Sequence, residues 1–166
     1  NQAPDTVKFI IAPHNIKEEQ ILNLKSQIQK KTILFSEKEE ILKQHSDSAQ
    51  CAKLENYQVF IINTIGILTK IYSYADITYV GGGFGNPGVH NILEPATFGV
   101  PIIIGPNYAH FAEATALVHQ GGCTSIQNAN ELKLAFDSLL YNSDERLEKG
   151  HICETFVQMN KGATTK

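Results

Sequence analysis

Between Tyr79 and Pro101 the sequence reads YVGGGFGNPGVHNILEPATFGVP, which sets a glycine turn, a His-Asn pair and one carboxylate between two strand-like segments. Gly81 to Gly83 directly follow a β-branched and aromatic run, so the chain can turn sharply there and bring backbone N–H groups close to an anion. Donors of that kind next to a helix start attract phosphate. His90, Asn91 and Glu94 fall on the following loop and the first turn of the next helix, where Pro95 is tolerated because early helical N–H groups have no partner to lose. A carboxylate only accepts hydrogen bonds and can take two hydroxyl donors at once, so Glu94 suits a ribose diol better than a phosphate. The plainer alternative is that Asn91 caps the helix and Glu94 complements its dipole.

Gly83, Gly85 and Gly88 also spell G-x-G-x-x-G after a strand, the dinucleotide-binding pattern. That pattern requires an acidic residue about twenty positions on, at the end of the next strand. Here the next strand runs into Gly105-Pro106-Asn107 instead, which argues against a nicotinamide or flavin dinucleotide.

The elements that must position these groups are legible as alternating periods. Strand-length apolar runs occur at 7–12, 32–35, 58–62, 77–80, 101–104 and 123–126. Helical patterns lie between them: 18–30, with Ile21, Leu24 and Ile28 on one stripe; 65–75, with Leu68, Ile71, Tyr72 and Ala75; and 110–120, closed by Gly121-Gly122. Ser36 and Glu39 read as a capping box for a short helix through residue 43, and 47–57 reads as a polar loop. Two helices finish the chain, 130–141 capped by Asn130 and 143–160 interrupted by Gly150. Strand alternating with helix predicts an α/β fold: a Rossmann-like parallel sheet of about six strands with helices on both faces. Ligands of such sheets bind at the strands' carboxyl ends, here residues 12–15, 63–66, 81–83 and 105–106. Gly66 is expected to open the helix after the third strand. A close approach of ligand to backbone would justify it, and a simple tight turn would do so equally well.

Composition narrows the function classes. With 166 residues and 42% apolar content the chain is long enough for one buried core and too short for two full α/β domains, so residues 1–166 are expected to form one domain. A net charge of −3 with scattered lysines offers no basic stripe, which argues against nucleic acid as a partner. Cys51, Cys123 and Cys153 are odd in number, widely spaced and outside any C-x-x-C pattern, so reduced thiols are expected in place of disulfides or zinc. No apolar run approaches bilayer-spanning length and no secretion signal is visible. The chain begins Asn1-Gln2-Ala3-Pro4 without Met and reads as a piece whose remainder lies upstream.

Four ordered motifs carry a resemblance: N-T-I-G-I-L at 63–68, V-G-G-G-F at 80–84, H-N-I-L-E-P at 90–95 and G-V-P-I-I-I-G-P at 99–106. Together they are similar to the carboxyl-terminal half of the 3-deoxy-D-manno-octulosonic acid (Kdo) transferases of lipopolysaccharide biosynthesis. The resemblance runs over nearly the whole chain. It implies the nucleotide-sugar donor-binding domain of a two-domain GT-B glycosyltransferase, which transfers Kdo from CMP-Kdo to a lipid A precursor on the cytoplasmic face of the inner membrane of a Gram-negative bacterium.

Carried over residue by residue, Pro13 and His14 match the family's contact near the phosphate. Ile65, Gly66 and Ile67 match the loop around the cytidine, and Gly82 and Gly83 the loop beside the phosphate. Asn91, Ile92, Leu93 and Glu94 match the ribose-binding N-x-L-E segment, with His90 before it. The resemblance implies that the acceptor site, the membrane contact and the catalytic base belong to the amino-terminal half, so no catalytic residue is expected in this chain, which would bind CMP without completing transfer. No cofactor and no metal are expected, and the sequence has no D-x-D pair to hold a divalent ion.

Two departures qualify the match. Many members read P-R-H where this chain has Pro13-His14-Asn15, which replaces an arginine by a weaker donor whose charge depends on pH; CMP is then expected to bind more tightly at pH 6 than at pH 8. Asn63 stands where aspartate is commoner. Two other readings use the same residues: a GT-B transferase or epimerase acting on a uracil nucleotide sugar, and a non-catalytic nucleotide-binding module. Phe156, Val157 and Met159 on the last helix would face the missing half, and self-association is one way to cover them.

Overall fold

The computed structural model describes residues 3–38 and 54–161. It divides into two compact units, Asn1–Leu68 and Thr69–Lys166.

In the first unit three parallel strands, β1 (Phe9–Ile11), β2 (Thr32–Leu34) and β3 (Val59–Ile61), pair in the order β1-β3-β2. Alternation sends Phe9, Ile11, Val59, Ile61 and Leu34 to one face, where helix α1 (Glu18–Gln27) lays Ile21 and Leu24 on them. The helix stops three residues short of the expected end, because Ile28 turns extended and packs into the same cluster. A 3-10 turn, Phe35–Glu37, follows β2, and the Glu37 carboxylate accepts the Leu34 N–H at 3.0 Å. Glu37 thus reaches back over its own turn. Glu39 itself, the helix through 43, Cys51 and most of the polar segment lie outside the described residues.

In the second unit β4 (Thr78–Val80), β5 (Ile102–Ile104) and β6 (Cys123–Ser125) are again parallel, in the order β4-β5-β6. The central strand is three isoleucines, all fully buried, as a strand covered on both faces requires. Ile102 and Ile104 face Ala96 of α3 (Leu93–Thr97), Ala114 and Leu117 of α4 (Ala112–Gln120) and Cys153 of α6 (Ser143–Asn160). Ile103 faces the other way, toward Leu139 of α5 (Ala129–Tyr141). A short helix, α2 (Leu68–Ile71), and a 3-10 turn, Tyr72–Tyr74, lead into this sheet.

The expected α/β fold with six parallel strands is therefore present, as two three-stranded sheets instead of one sheet of six. Other differences are local and have identifiable causes. Gly66 lies ahead of α2 at φ +87°, a conformation that cannot start a right-handed helix, so the helix begins at Leu68. The cap of α5 is Asn128, whose Oδ1 accepts the N–H groups of Asn130 and Glu131, and Asn130 lies within the helix. Gly150 does not interrupt α6. A side chain there would run into the carbonyl oxygen of Gly99, so glycine lets the helix pass against the end of α3. Phe156 and Val157 pack against the unit's own core, and only Met159 of that trio is largely exposed.

Candidate functional site

The carboxyl edge of the second unit is built from the turn after β4, the loop after β5 and the start of α3. Gly82 takes φ +89° and lies under His90, whose imidazole Cδ2 would be 3.0 Å from a β-carbon at that position. His90 N–H donates to the Gly81 carbonyl at 3.0 Å, which closes the turn. Gly83 meets Gly105 backbone to backbone: a β-carbon on Gly83 would lie 2.8 Å from the Gly105 nitrogen. Asn107 staples the two loops, its N–H donating to the Gly83 carbonyl at 2.8 Å, its Nδ2 to the Gly85 carbonyl at 3.2 Å and its carbonyl accepting Val89 N–H at 3.3 Å. The N–H groups of Gly85, Gly88, Val89 and His90 are thus engaged within these loops and are not open to an anion.

Asn91 and Glu94 meet directly. Asn91 Oδ1 accepts the Leu93 N–H at 3.0 Å, and its Nδ2 donates to Glu94 Oε1 at 3.0 Å. Asn91 thus bonds both the first turn of the short helix, whose N-cap is Ile92, and the Glu94 carboxylate. Glu94 Oε2 is bonded to no group among the described residues. Ile92 is buried in the core cluster and Leu93 is partly exposed, so of the four residues only Asn91 and Glu94 present polar groups at the surface. Because α3 has only five residues, any anion attraction expected of its N-terminus comes from little more than one turn.

Tyr72 is a further neighbour. It is half-buried, and burial first, then the charge of Glu94, push its phenol above the ordinary value, so at neutral pH it carries its proton and can donate. The sequence placed Tyr72 on an apolar stripe and gave no sign of this proximity. Asn107 was equally unmarked, since its role depends on pairing two loops more than twenty residues apart; its position in the Gly105-Pro106-Asn107 turn after β5 is the only local signal.

The remaining candidates lie on the first unit. Pro13 and His14 follow β1, and Ile65, Gly66 and Ile67 follow β3; the two strands are neighbours, and Ile62 N–H reaches the Ile11 carbonyl at 2.8 Å. His14 is exposed, Pro13 and Ile67 are half-buried, and Ile65 is 86% exposed. Gly66 borders open space, with nothing within 4 Å of a β-carbon placed there. Asn63 has a structural occupation: its Oδ1 accepts Ser36 N–H at 3.0 Å and its Nδ2 donates to Ser36 Oγ at 2.7 Å, tying the ends of β2 and β3. An aspartate could make only the first of these without relying on the serine proton. Within each unit the candidates thus gather on one edge.

Among the described residues no group of three or more His, Cys, Asp or Glu side chains is placed to hold a metal ion. No helix among them is long and apolar enough to cross a membrane. Cys123 and Cys153 are buried free thiols, each pushed up to about 12 by burial first of all, and Cys153 Sγ donates to the Gly122 carbonyl at 3.2 Å.

No family model matches the chain. Curated relatives do. A 3-deoxy-D-manno-octulosonic acid transferase of Haemophilus influenzae is 33% identical over 111 residues, 66% of this chain and 26% of the relative. That of Aquifex aeolicus is 37% identical over 84 residues, 49% and 24%. A probable mitochondrial 3-deoxy-D-manno-octulosonic acid transferase of Arabidopsis thaliana is 28% identical over 146 residues, 85% and 30%. The chain thus spans about a quarter of the length of the curated relatives it matches. Among solved structures, the C-terminal CMP-Kdo binding domain of WaaA from Acinetobacter baumannii superposes with a TM-score of 0.74 at 20% identity, over 93% of this chain and 75% of that one, a match of fold. In sequence this chain is a relative of the 3-deoxy-D-manno-octulosonic acid transferases, and in fold it matches the C-terminal domain of WaaA.

Proposed function

We propose that this chain is the donor-binding domain of a Kdo transferase, a GT-B glycosyltransferase in which it holds CMP-Kdo while Kdo passes to a lipid A precursor bound elsewhere in the full protein. The observation that carries the reading is the pairing of Asn91 with Glu94 beside the Gly82–Gly83 turn, in a chain related by sequence to these enzymes. The structural neighbour, whose own name states CMP-Kdo binding, supports the same choice of donor.

In this reading Glu94 accepts the ribose hydroxyls. The turn from Gly82 to Phe84, with His90 lying on it, takes the phosphate; Pro13 and His14 of the first unit match the family's phosphate contact in sequence. Ile65, Gly66 and Ile67 pack on the cytidine, whose apolar faces suit the exposed Ile65. Departing CMP gains its stabilisation from fixed N–H donors and an imidazole, groups already oriented before reaction, with no metal required. Glu94 binds and does not act as the base; the base, the acceptor site and the contact with the inner membrane belong to the rest of the enzyme.

Calorimetric titration of the chain with CMP, UMP, UDP and NAD, repeated with Glu94→Ala, tests this. CMP should bind selectively, and Glu94→Ala should weaken it by on the order of ten-fold or more, the effect of removing a charged acceptor from two hydroxyls. A preference for UDP would assign the domain to a uracil-nucleotide GT-B enzyme, and unchanged CMP affinity in Glu94→Ala would remove the ribose assignment.

A further inference from the structure

We propose that Asn91 is a positioning residue, which aims the Glu94 carboxylate at a vicinal diol and makes no contact with the ligand itself; this rests on the reading of Glu94 above. The argument starts from the inventory of an amide. Asn91 offers one acceptor oxygen and one NH2 group, and the structure commits both: Oδ1 to the Leu93 N–H and Nδ2 to Glu94 Oε1, each at 3.0 Å. The orientation of the amide is fixed by chemistry. Rotating it by half a turn would put Oδ1 against a carboxylate and NH2 against an N–H, two repulsive contacts in place of two bonds. Asn91 is exposed, so packing does not impose this arrangement, and the two hydrogen bonds do.

Glu94 gains from it. A free glutamate samples several rotamers and gives up that freedom when it binds. Fixing Oε1 from one side restricts the direction of Oε2, and the second lone pair of Oε1 remains, so two hydroxyls can still be accepted in the carboxylate plane. Tyr72 feels the charge of Glu94, and its raised phenol stays protonated through neutral pH.

The test compares CMP with 2′-deoxy-CMP on the wild-type chain and on Asn91→Asp and Asn91→Ser, at pH 8 and pH 5.5. Both variants keep an acceptor for Leu93 N–H, so the melting temperature should hold, whereas neither can donate to Glu94 at pH 8. CMP affinity should then fall by on the order of ten-fold while 2′-deoxy-CMP, lacking one of the two hydroxyls, falls far less. In Asn91→Asp the loss relative to wild type should shrink at pH 5.5, because a shared proton rebuilds the bond between the two carboxyls; in Asn91→Ser, too short to reach Glu94, it should not. In the Glu94→Ala background Asn91→Asp should add no further loss. Equal losses for CMP and 2′-deoxy-CMP, additive losses in the double variant, or no loss at all would overturn the positioning role while leaving the nucleotide reading standing. A wild-type chain that binds neither nucleotide would overturn both.

Discussion

The carboxyl edges of the two sheets end in the same kind of structure, loops after parallel strands, yet they are held by different forces. In the second unit the turn after β4 is pinned by backbone contact and neutral amides: Gly83 lies on Gly105, and Asn107 bonds both Gly83 and Gly85. In the first unit the end of β2 is held by the Asn63 amide, which bonds Ser36, and by charge as well. Glu37 accepts Leu34 N–H and pairs with Lys25 at 3.0 Å, while Gly66, in the loop after the neighbouring strand β3, borders open space. One edge is fixed before any ligand arrives, and the other leaves room at its loops.

The largest effect that would break this contrast is steric. Gly83→Ala puts a methyl group against backbone that has nowhere to move without parting the two loops, so roughly 1–3 kcal/mol of stability should be lost, with CMP binding lost along with it. Gly66→Ala meets no atoms and suffers only from its backbone at φ +87°. Asparagine tolerates that conformation, so Gly66→Asn should return to within about 1 kcal/mol of wild type. Gly83→Asn should be worse than Gly83→Ala. Thermal melts of the four variants decide it: asparagine rescuing both sites, or neither, would mean that the two glycines are required for the same reason.

A smaller effect tests the staple. Asn107→Ala removes one exposed hydrogen bond of 3.2 Å and leaves the two backbone bonds of Asn107 in place, so stability should change by no more than about 1 kcal/mol. The turn it braces should loosen, and CMP affinity should fall a few-fold by calorimetry. Asn107→Asp, which sets an acceptor against the Gly85 carbonyl, should bind less well than Asn107→Ala. Equal affinity in all three proteins would show that the backbone contacts fix the turn unaided.

How much of this was legible in the sequence follows from what each signal measures. The strands were found within a few residues because β-branched runs such as Ile102–Ile104 carry their own burial pattern. The stripe of Ile21, Leu24 and Ile28 located α1, although not its end, since the pull of the core on Ile28 is a tertiary effect. Helix starts were the weakest point. Asn130 and Asn128 are both good caps, and which one acts depends on a backbone angle that composition does not encode. The glycine at 150 looked like a break because its partner, Gly99, is fifty positions away. In the candidate site, Glu94 and Asn91 could be picked out as residue types three apart, but not that they bond each other. Tyr72 and Asn107 act through loop pairings that no local window contains.

The smallest expected effect sharpens the comparison by pH. Burial raises the Glu37 carboxyl, but the Leu34 N–H and the Lys25 ammonium together outweigh it and hold the group below the usual carboxylate range. A carboxyl depressed in the folded state contributes stability that is present above its unfolded value and disappears as pH falls through the folded one. The first unit's edge should therefore loosen in acid, by less than about 1 kcal/mol because the pair is partly exposed. Leu34 N–H reports this directly: its NMR shift should titrate below the usual carboxylate range, and Glu37→Gln should abolish the titration. The Asn107 side-chain amide, bonded to a carbonyl that takes no proton, should stay still over the same range. If both signals moved together, the edges would share one acid transition, and the division between an edge held partly by charge and an edge held without it would fall.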